Sequence, residues 1–531
     1  MFRVLITDDL GAEGLALLDQ ATDVKYDVVK LPDHAKLNDL IGEYDAVITR
    51  SGTPLRADTF QAGKHLKIAG RAGVGLDNVD IDAATLCGIL VMNTPEANTL
   101  AATEMTMALM LAMCRRLPWA DASIKRGEWS RSKFMGTQLS DKTLGVIGLG
   151  RIGSRVATRC RAFGMHVLAY DPYISEEIAE RLQVELLGDL NELLARSDLI
   201  TVHTPMTDET RGMIGAPQIA KMKQGVRLVN CARGGIVEEK ALYEALVAGK
   251  VAGAAIDVYS SEPPRNELLK NLFALENVVA SPHIGANTIE AQREVAVQIV
   301  NQVLEGLRGI NFSNVVNLPF VEGVDYRSIQ PYLTLAEKIG ALQMQLNHGR
   351  VERVEVECRG DAVEKLVKPL TVALLKGLLF PILGDAVNYV NAPRLADERG
   401  ILVSQTRHPV AEDYSNVILC RVTSSQETRL IGGALFLHNQ PRIVLMDDYR
   451  LDALLIGKAL VMMNHDVPGV IGKVGTLLAN RQVNIAEWRM ARNSPGGIAV
   501  SFINIDSPVS DQVLAELKQL DTVTDVRQVA L

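Results

Sequence analysis

A chain of 531 residues is too long for one hydrophobic core, and a prior of about 150 residues per domain suggests three or four. With 47% hydrophobic and 22% charged residues, the composition is that of an ordinary globular protein. A net charge of −8 without basic clusters argues against nucleic acid or a membrane surface as partner.

The opening run MFRVLITDD enters a strand pattern at once and leaves no room for a signal peptide. Residues 1–98 alternate short apolar strands (4–8, 46–50, 68–73 and 89–93) with helical segments. That order predicts a mostly parallel sheet covered on both faces. Leu100–Cys114 reads as the most apolar helix, yet it carries Thr103, Glu104 and Thr106 and is too short to span a bilayer. Cysteines stand at 87, 114, 160, 231, 358 and 420, with neither a Cys-x-x-Cys pair nor metal-ligand spacing. Reduced thiols, no metal site and a cytoplasmic location are therefore expected.

The second unit spans about 99–285. Lys142–Ile147 reads as a strand, Ile152–Phe163 as a helix and His166–Tyr170 as a second strand ending at Asp171. Between the first two lies Gly148-Leu149-Gly150-Arg151-Ile152-Gly153, the glycine pattern of a dinucleotide turn. Gly148 allows the tight turn, Gly150 admits a pyrophosphate to the backbone, and Gly153 lets the helix pack closely on the strand. The helix N-terminus offers free N–H groups to phosphate. Asp171 is placed to accept from ribose hydroxyls and to repel a 2′-phosphate, which selects NAD over NADP.

Further strands are read at 198–205, 226–232, 251–258 and 277–283. Near their ends stand Arg233 (in NCARGG), Glu262 (in SEPP) and His283 (in SPHIG). Ligands of open α/β sheets sit outside the carboxyl ends of the strands, so these three can converge on one crevice. A histidine titrates near neutrality, a carboxylate on its other ring nitrogen fixes the tautomer, and a guanidinium matches a carboxylate bidentately. This is the equipment for oxidising an alcohol beside a carboxylate. A long helix, Glu290–Leu307, then carries the chain back to complete the first lobe at about 286–316, which makes the second domain an insertion.

The character changes near Asn317-Leu318-Pro319. Residues 317–455 mix helical patterns (332–346, 366–379) with strand-like runs (353–359, 416–422, 442–448), an α+β domain without an acid–base cluster. Residues 458–531 read strand, helix, strand, strand, helix, strand, a ferredoxin-like βαββαβ order. Within Asn464-His465-Asp466-Val467-Pro468-Gly469, Asp466 is expected to cap the following helix.

LGRIG, HTP (203–205), NCARGGIVEE (230–239), DVYSSEPP (257–264) and SPHIGANT (281–288) closely resemble the NAD-dependent D-2-hydroxyacid dehydrogenases over residues 1–315. The resemblance implies that Arg233, Glu262 and His283 are the catalytic trio. It also implies that Arg151, Ile152, Asp171, Thr204, Cys231, Ala232, Asp257 and Gly285 lie against NAD, with Asp257 facing the carboxamide. One departure is Val74, where some relatives carry a hydroxyl residue near the cofactor. The terminal module looks like an ACT domain. The long branch of the family, with intervening and ACT domains, is similar throughout, including Arg71–Asp80, Lys133–Gly136 and Val387–Asn391. The resemblance implies oxidation of 3-phospho-D-glycerate, with Arg50 and Arg71, and Arg131 and Lys133, offering cations to carboxylate and phosphate. It implies further a homo-oligomer (dimer or tetramer) and L-serine as an effector at Asn464, Asp466 and Asn484. The alternatives are an unphosphorylated 2-hydroxy acid (glycerate, glycolate/glyoxylate or 2-hydroxyglutarate) or an NAD-sensing corepressor-like scaffold.

Overall fold

The computed structural model describes residues 1–30, 32–318, 326–409 and 414–531. The first sheet has five parallel strands in the order Val24–Val28, Phe2–Ile6, Ala46–Thr49, Ile68–Arg71, Leu90–Asn93. Ala46–Thr49 is buried along its whole length, as expected of a parallel strand covered on both faces. Part of that cover comes from far along the chain. In helix Ile289–Leu307, Val295, Ala296, Ile299 and Val303 join the core with Val4, Ile48 and Ile68. Gly70 is what permits the close contact, since a Cβ there would lie 2.9 Å from Val303 Cγ2.

The chain then returns along Leu90–Asn93. Val316 N donates to Val91 O at 2.8 Å, Val315 pairs antiparallel with Met92, and Asn317 Oδ1 accepts from Val91 N at 2.9 Å. Of the run Asn317-Leu318-Pro319, where the character changes, Pro319 lies outside the described residues.

The inserted domain holds seven parallel strands in the order Val278–Ala280, Val251–Ile256, Val226–Asn230, Leu199–Val202, Thr143–Ile147, His166–Tyr170, Glu185–Leu186. Chain order reverses between Leu199–Val202 and Thr143–Ile147, which opens a crevice at the carboxyl ends of those two strands.

The third sheet has six strands in the order Leu402–His408, Val351–Arg359, Val417–Ser424, Thr428–Phe436, Gln440–Met446, Tyr449–Leu454; only its first pair is parallel. Helices Tyr326–Leu346 and Val367–Leu383 pack together beside it. They come close enough that a Cβ on Gly340 would strike the Leu374 carbonyl, and one on Gly377 the Glu337 carbonyl. Val367–Leu383, and not Leu100–Cys114, is the more apolar helix. With the turn after it, this helix meets the length and composition of a membrane span. Its face from Leu370 to Leu379, however, is buried in the core of this domain.

The last four strands, Lys458–His465, Ile485–Arg492, Ile498–Ile505 and Val523–Ala530, make an antiparallel sheet with Lys458–His465 between the third and fourth. This is the ferredoxin-like arrangement. Alternation splits its side chains cleanly. Leu460, Met462 and Ile503 face helices Val470–Asn480 and Asp511–Lys518, whereas Ala459, Val461 and Phe502 join the core of the preceding domain. The two C-terminal units therefore share one apolar layer.

Candidate active site

The glycine turn is built by close approach of backbone. Gly148 has φ +91°, and a Cβ there would lie 2.7 Å from the His203 carbonyl oxygen. A Cβ on Gly153 would collide with the Gly148 carbonyl. Gly150 differs, because nothing lies within 4 Å of its Cβ position. It precedes helix Arg151–Ala162, which has no side-chain cap, so the first-turn N–H groups remain available to an anion. Asp171 ties the turn down: Oδ2 accepts from Leu149 N at 2.8 Å and Oδ1 from Tyr173 N at 2.9 Å.

One more group, the Thr204 hydroxyl, fits a nucleotide. Thr204 follows strand Leu199–Val202, and its Oγ1 is buried with no hydrogen-bond partner among the described residues. An orphaned hydroxyl there is a donor waiting for a ligand oxygen. Arg151 lies 3.6 Å from Glu96, and Ile152 packs against the apolar core under the turn. Burial pushes the Cys231 thiol up to about 12, so it stays neutral beside the crevice. The Ala232 amide donates to Asn230 Oδ1 at 3.1 Å.

Asp257 is buried, and its carboxylate is occupied. Oδ1 accepts from Ser281 Oγ at 2.6 Å and Ile284 N at 2.9 Å, and Oδ2 accepts from Gly285 N at 2.8 Å. In this structure it anchors the loop that carries His283. That loop is bent, with His283 at φ +52°, a left-handed conformation uncommon for a residue with a side chain.

His283 Nδ1 lies 2.7 Å from Glu262 Oε2. A carboxylate only accepts, so Nδ1 carries the proton and Nε2 is left to exchange another. The same contact, outweighing burial, holds the imidazole pKa above its ordinary value. Burial would raise Glu262, but the bonds from His283 and from the Tyr259 amide at 3.0 Å bring its carboxyl below the usual range. The positive charge of Arg233 acts on both groups.

Arg233 itself donates to the Ala232 carbonyl at 2.8 Å and pairs with Asp77 at 3.3 Å. Two arginines of the first lobe stand beside it. Arg71 is lowered to about 10, first by burial and then by the charges of Arg233 and Arg50, and its buried Nε has no hydrogen-bond partner among the described residues. Arg50 donates to the Asp9 carbonyl at 3.2 Å and to the Gln292 side chain. Its loop is shaped by Asp8, which accepts from Thr49 Oγ1 at 3.2 Å and from the amides of Arg50 and Gly52 at 3.1 and 3.2 Å. Three guanidinium groups near one another raise the local positive potential, which favours an anion there. The structure does not bring Arg131 and Lys133 into this cluster: they occupy an exposed 3-10 turn, Arg131–Phe134.

Asp77 and Asp8 escaped the sequence reading. Asp8 lies two residues beyond the first strand, Phe2–Ile6, the kind of position that Arg233 and His283 also hold. Asp77 lies in a loop, and only the fold shows what it meets.

A second cavity, of about 440 Å³, lies in the C-terminal module and is lined by Asn464, Asp466, Pro468, Gly469, Met490 and Arg492, among others. Asp466 does not cap the helix. Gly469, at φ +95°, holds the cap position, and Asp466 accepts from Arg492 Nη1 at 2.5 Å and Gly496 N at 3.2 Å. A nearby cation has claimed the carboxylate ahead of the helix amides. Asn464 is buried, accepting from Ser501 Oγ at 3.1 Å. Asn484 is apart from the cavity, at the far end of strand Ile485–Arg492, and donates to Asp506 at 2.7 Å.

Comparison with known proteins covers the whole chain. Residues 107–285 match the D-isomer specific 2-hydroxyacid dehydrogenase NAD binding domain, 328–447 the D-3-phosphoglycerate dehydrogenase intervening domain, and 458–522 the ACT domain. The D-3-phosphoglycerate dehydrogenase of Archaeoglobus fulgidus is 44% identical over 533 residues, covering 100% of both chains. That of Methanocaldococcus jannaschii is 41% identical over 531 residues, again covering 100% of both. Among solved structures, D-lactate dehydrogenase from Aquifex aeolicus complexed with NAD and lactic acid is 31% identical, with a TM-score of 0.52; the match covers 58% of this chain and 96% of that one.

Proposed function

Because the chain belongs to the D-3-phosphoglycerate dehydrogenase family, we propose that it oxidises 3-phospho-D-glycerate to 3-phosphooxypyruvate with NAD, the first step of the phosphorylated route to serine. The observation that carries the reading is the His283–Glu262 pair, 2.7 Å apart, under the charge of Arg233 with Arg71 and Arg50 beside it. Arg233 holds the substrate carboxylate and the 2-oxygen. His283 Nε2 removes the proton of the 2-hydroxyl, and Glu262, on Nδ1, stabilises the imidazolium that results. When bound, NAD would supply the nicotinamide ring that accepts the hydride lost from C2 of the substrate. Arg50 and Arg71 neutralise the remaining substrate charge. Arg131 and Lys133 reach it only by a movement of their turn or from a second subunit of a homo-oligomer.

On the cofactor side, the amides after Gly150 and the Thr204 hydroxyl take the pyrophosphate and Asp171 the adenosine ribose. Arg151, Ile152, Cys231, Ala232, Asp257 and Gly285 line the rest. The experiment is to follow NADH oxidation with 3-phosphooxypyruvate beside pyruvate, glyoxylate and 2-oxoglutarate. A large preference for the phosphorylated acid is expected; equal rates would remove the substrate assignment and leave the dehydrogenase chemistry.

The cavity of the C-terminal module suits a small amino acid, with Arg492 for its carboxylate and Asp466 for its ammonium group. L-Serine, the end product of the route, is the effector this reading names, with Asn464 lining the site and Asn484 contributing from a neighbouring module of a dimer or tetramer. Calorimetry with serine tests it; no heat of binding, with kinetics insensitive to millimolar serine, would rule serine out. The enzyme is assigned to the cytoplasm.

A further inference from the structure

The Arg233 guanidinium already has an anion on it. Asp77, in the loop after strand Ile68–Arg71, sets Oδ2 3.3 Å from Arg233 Nε and so bridges the two lobes. The Asp77 side chain is otherwise 69% exposed, so packing does not hold it there. Gly75 permits the approach: a Cβ at that position would sit 2.7 Å from Arg233 Nη2 and 2.9 Å from Asp77 Oδ2. Nη1 is bonded to the Ala232 carbonyl. The Nε–Nη2 side is thus the one left to grip a carboxylate with two parallel bonds, and Asp77 stands on it. Among the described residues, the guanidinium groups of Arg50 and Arg71 hydrogen-bond only to carbonyl and amide oxygens, so neither has an acid seated on it in this way.

We propose that Asp77 is a positioning residue that occupies the carboxylate position on Arg233 before substrate arrives, and that a 2-hydroxy acid binds by exchanging its own carboxylate for that of Asp77. The inference rests on reading Arg233 as the carboxylate holder. Exchange keeps a part-buried guanidinium paired before and after binding, so an uncompensated charge is never left in the crevice. It also weakens substrate binding by whatever the internal pair contributed.

The test is calorimetric titration of the full-length protein, saturated with NADH, with oxalate as a non-reacting mimic of a 2-oxo acid. It needs no turnover. Asp77→Asn is expected to tighten oxalate by about two- to fivefold, the scale of an exposed ion pair. KM for the 2-oxo acid falls by the same factor, while kcat changes by less than about twofold and KM for NADH stays put. Asp77→Glu keeps the internal anion and stays close to the wild type. In an Arg233→Gln background, adding Asp77→Asn has no further effect, because the two residues act as one unit.

Unchanged or weaker oxalate binding in Asp77→Asn overturns the exchange. So does a gain of equal size in the Arg233→Gln background, which would mean a general field effect. If Arg233→Gln alone leaves oxalate affinity intact, the role of Arg233 and the exchange fall together. If it weakens oxalate while Asp77→Asn does not tighten it, only the exchange falls.

Discussion

Asn388 Nδ2 donates to the Gly88 carbonyl at 2.8 Å, joining the intervening domain to the loop before strand Leu90–Asn93 of the first lobe. The fit depends on a bare α-carbon. Gly88 has φ +71°, and a Cβ there would collide with Asn388 Nδ2 and lie 2.9 Å from Asn391 Nδ2. Gly88→Ala thus combines a left-handed backbone penalty with a lost interdomain bond. A loss of about 2 kcal/mol of stability is expected in urea unfolding. Asn388→Ala should cost about 1 kcal/mol, with kcat preserved.

The raised pKa of His283 fixes the direction of the pH profiles. Oxidation needs the neutral ring and gains as pH rises through that pKa; reduction needs the protonated ring and is lost over the same interval. Glu262→Gln removes the main cause of the upward shift. Both limbs should therefore move to lower pH, with kcat reduced in both directions. Profiles of kcat/KM recorded both ways check this, and limbs that stay in place would separate Glu262 from the titration.

On the proposed mechanism, His283→Ala removes the proton acceptor itself. A fall in kcat of about 10²- to 10⁴-fold is expected, with NADH affinity measured by fluorescence unaltered. Near-normal turnover would take His283 out of this role.

Gly150 and Gly153 belong to one motif and should fail differently. Gly153→Ala drives a methyl group into the Gly148 carbonyl, so both the Tm and nucleotide binding should fall. Gly150→Ala meets nothing in the protein, so the Tm should hold while NAD affinity drops. Thermal melts with and without NAD distinguish the two outcomes, and a Gly150→Ala protein with ordinary affinity would show that the open space is not where phosphate sits.

Asp171→Ala should relax the preference for NAD over NADP, since it removes the charge that repels a 2′-phosphate. It also releases Leu149 N, so KM for NAD itself should rise. The ratio of kcat/KM for the two nucleotides is the readout; an unchanged ratio would leave Asp171 with only its role in the turn.

The lobe architecture was legible because strands buried on both faces are unbroken apolar runs, as in VLI (4–6) and ILVM (89–92). The catalytic candidates were legible for a related reason: Arg233 and His283 sit just beyond such runs, where α/β sheets place their chemistry. Leu402–His408 was not legible, because LVSQTRH is exposed along its whole length and shows no alternation to read. Val24–Val28 (VKYDV) does alternate, but it is five residues long, carries Lys25 and Asp27, and buries only Val24 fully, which is too brief a signal to stand out. Asp466 misled because a carboxylate ahead of a helix looks like a cap unless a competing cation is in view, and Arg492 arrives from another strand. No spacing rule could show that Asp77 and Arg233 meet, since each comes from a different lobe.

The segment Asn314–Asn317 has a consequence for dissecting the chain. It covers Leu90–Asn93, one of the two edge strands of the first sheet, satisfying Val91 N through Asn317 and pairing Met92 with Val315. Cut short of it, the catalytic part would expose Leu90–Asn93 as a free edge with unpaired backbone amides, a template for pairing with another molecule. Fragments ending before Asn314 should self-associate, and those running through Asn317 should stay dispersed. The segment leading to the C-terminal half thus doubles as the selvedge of the catalytic half.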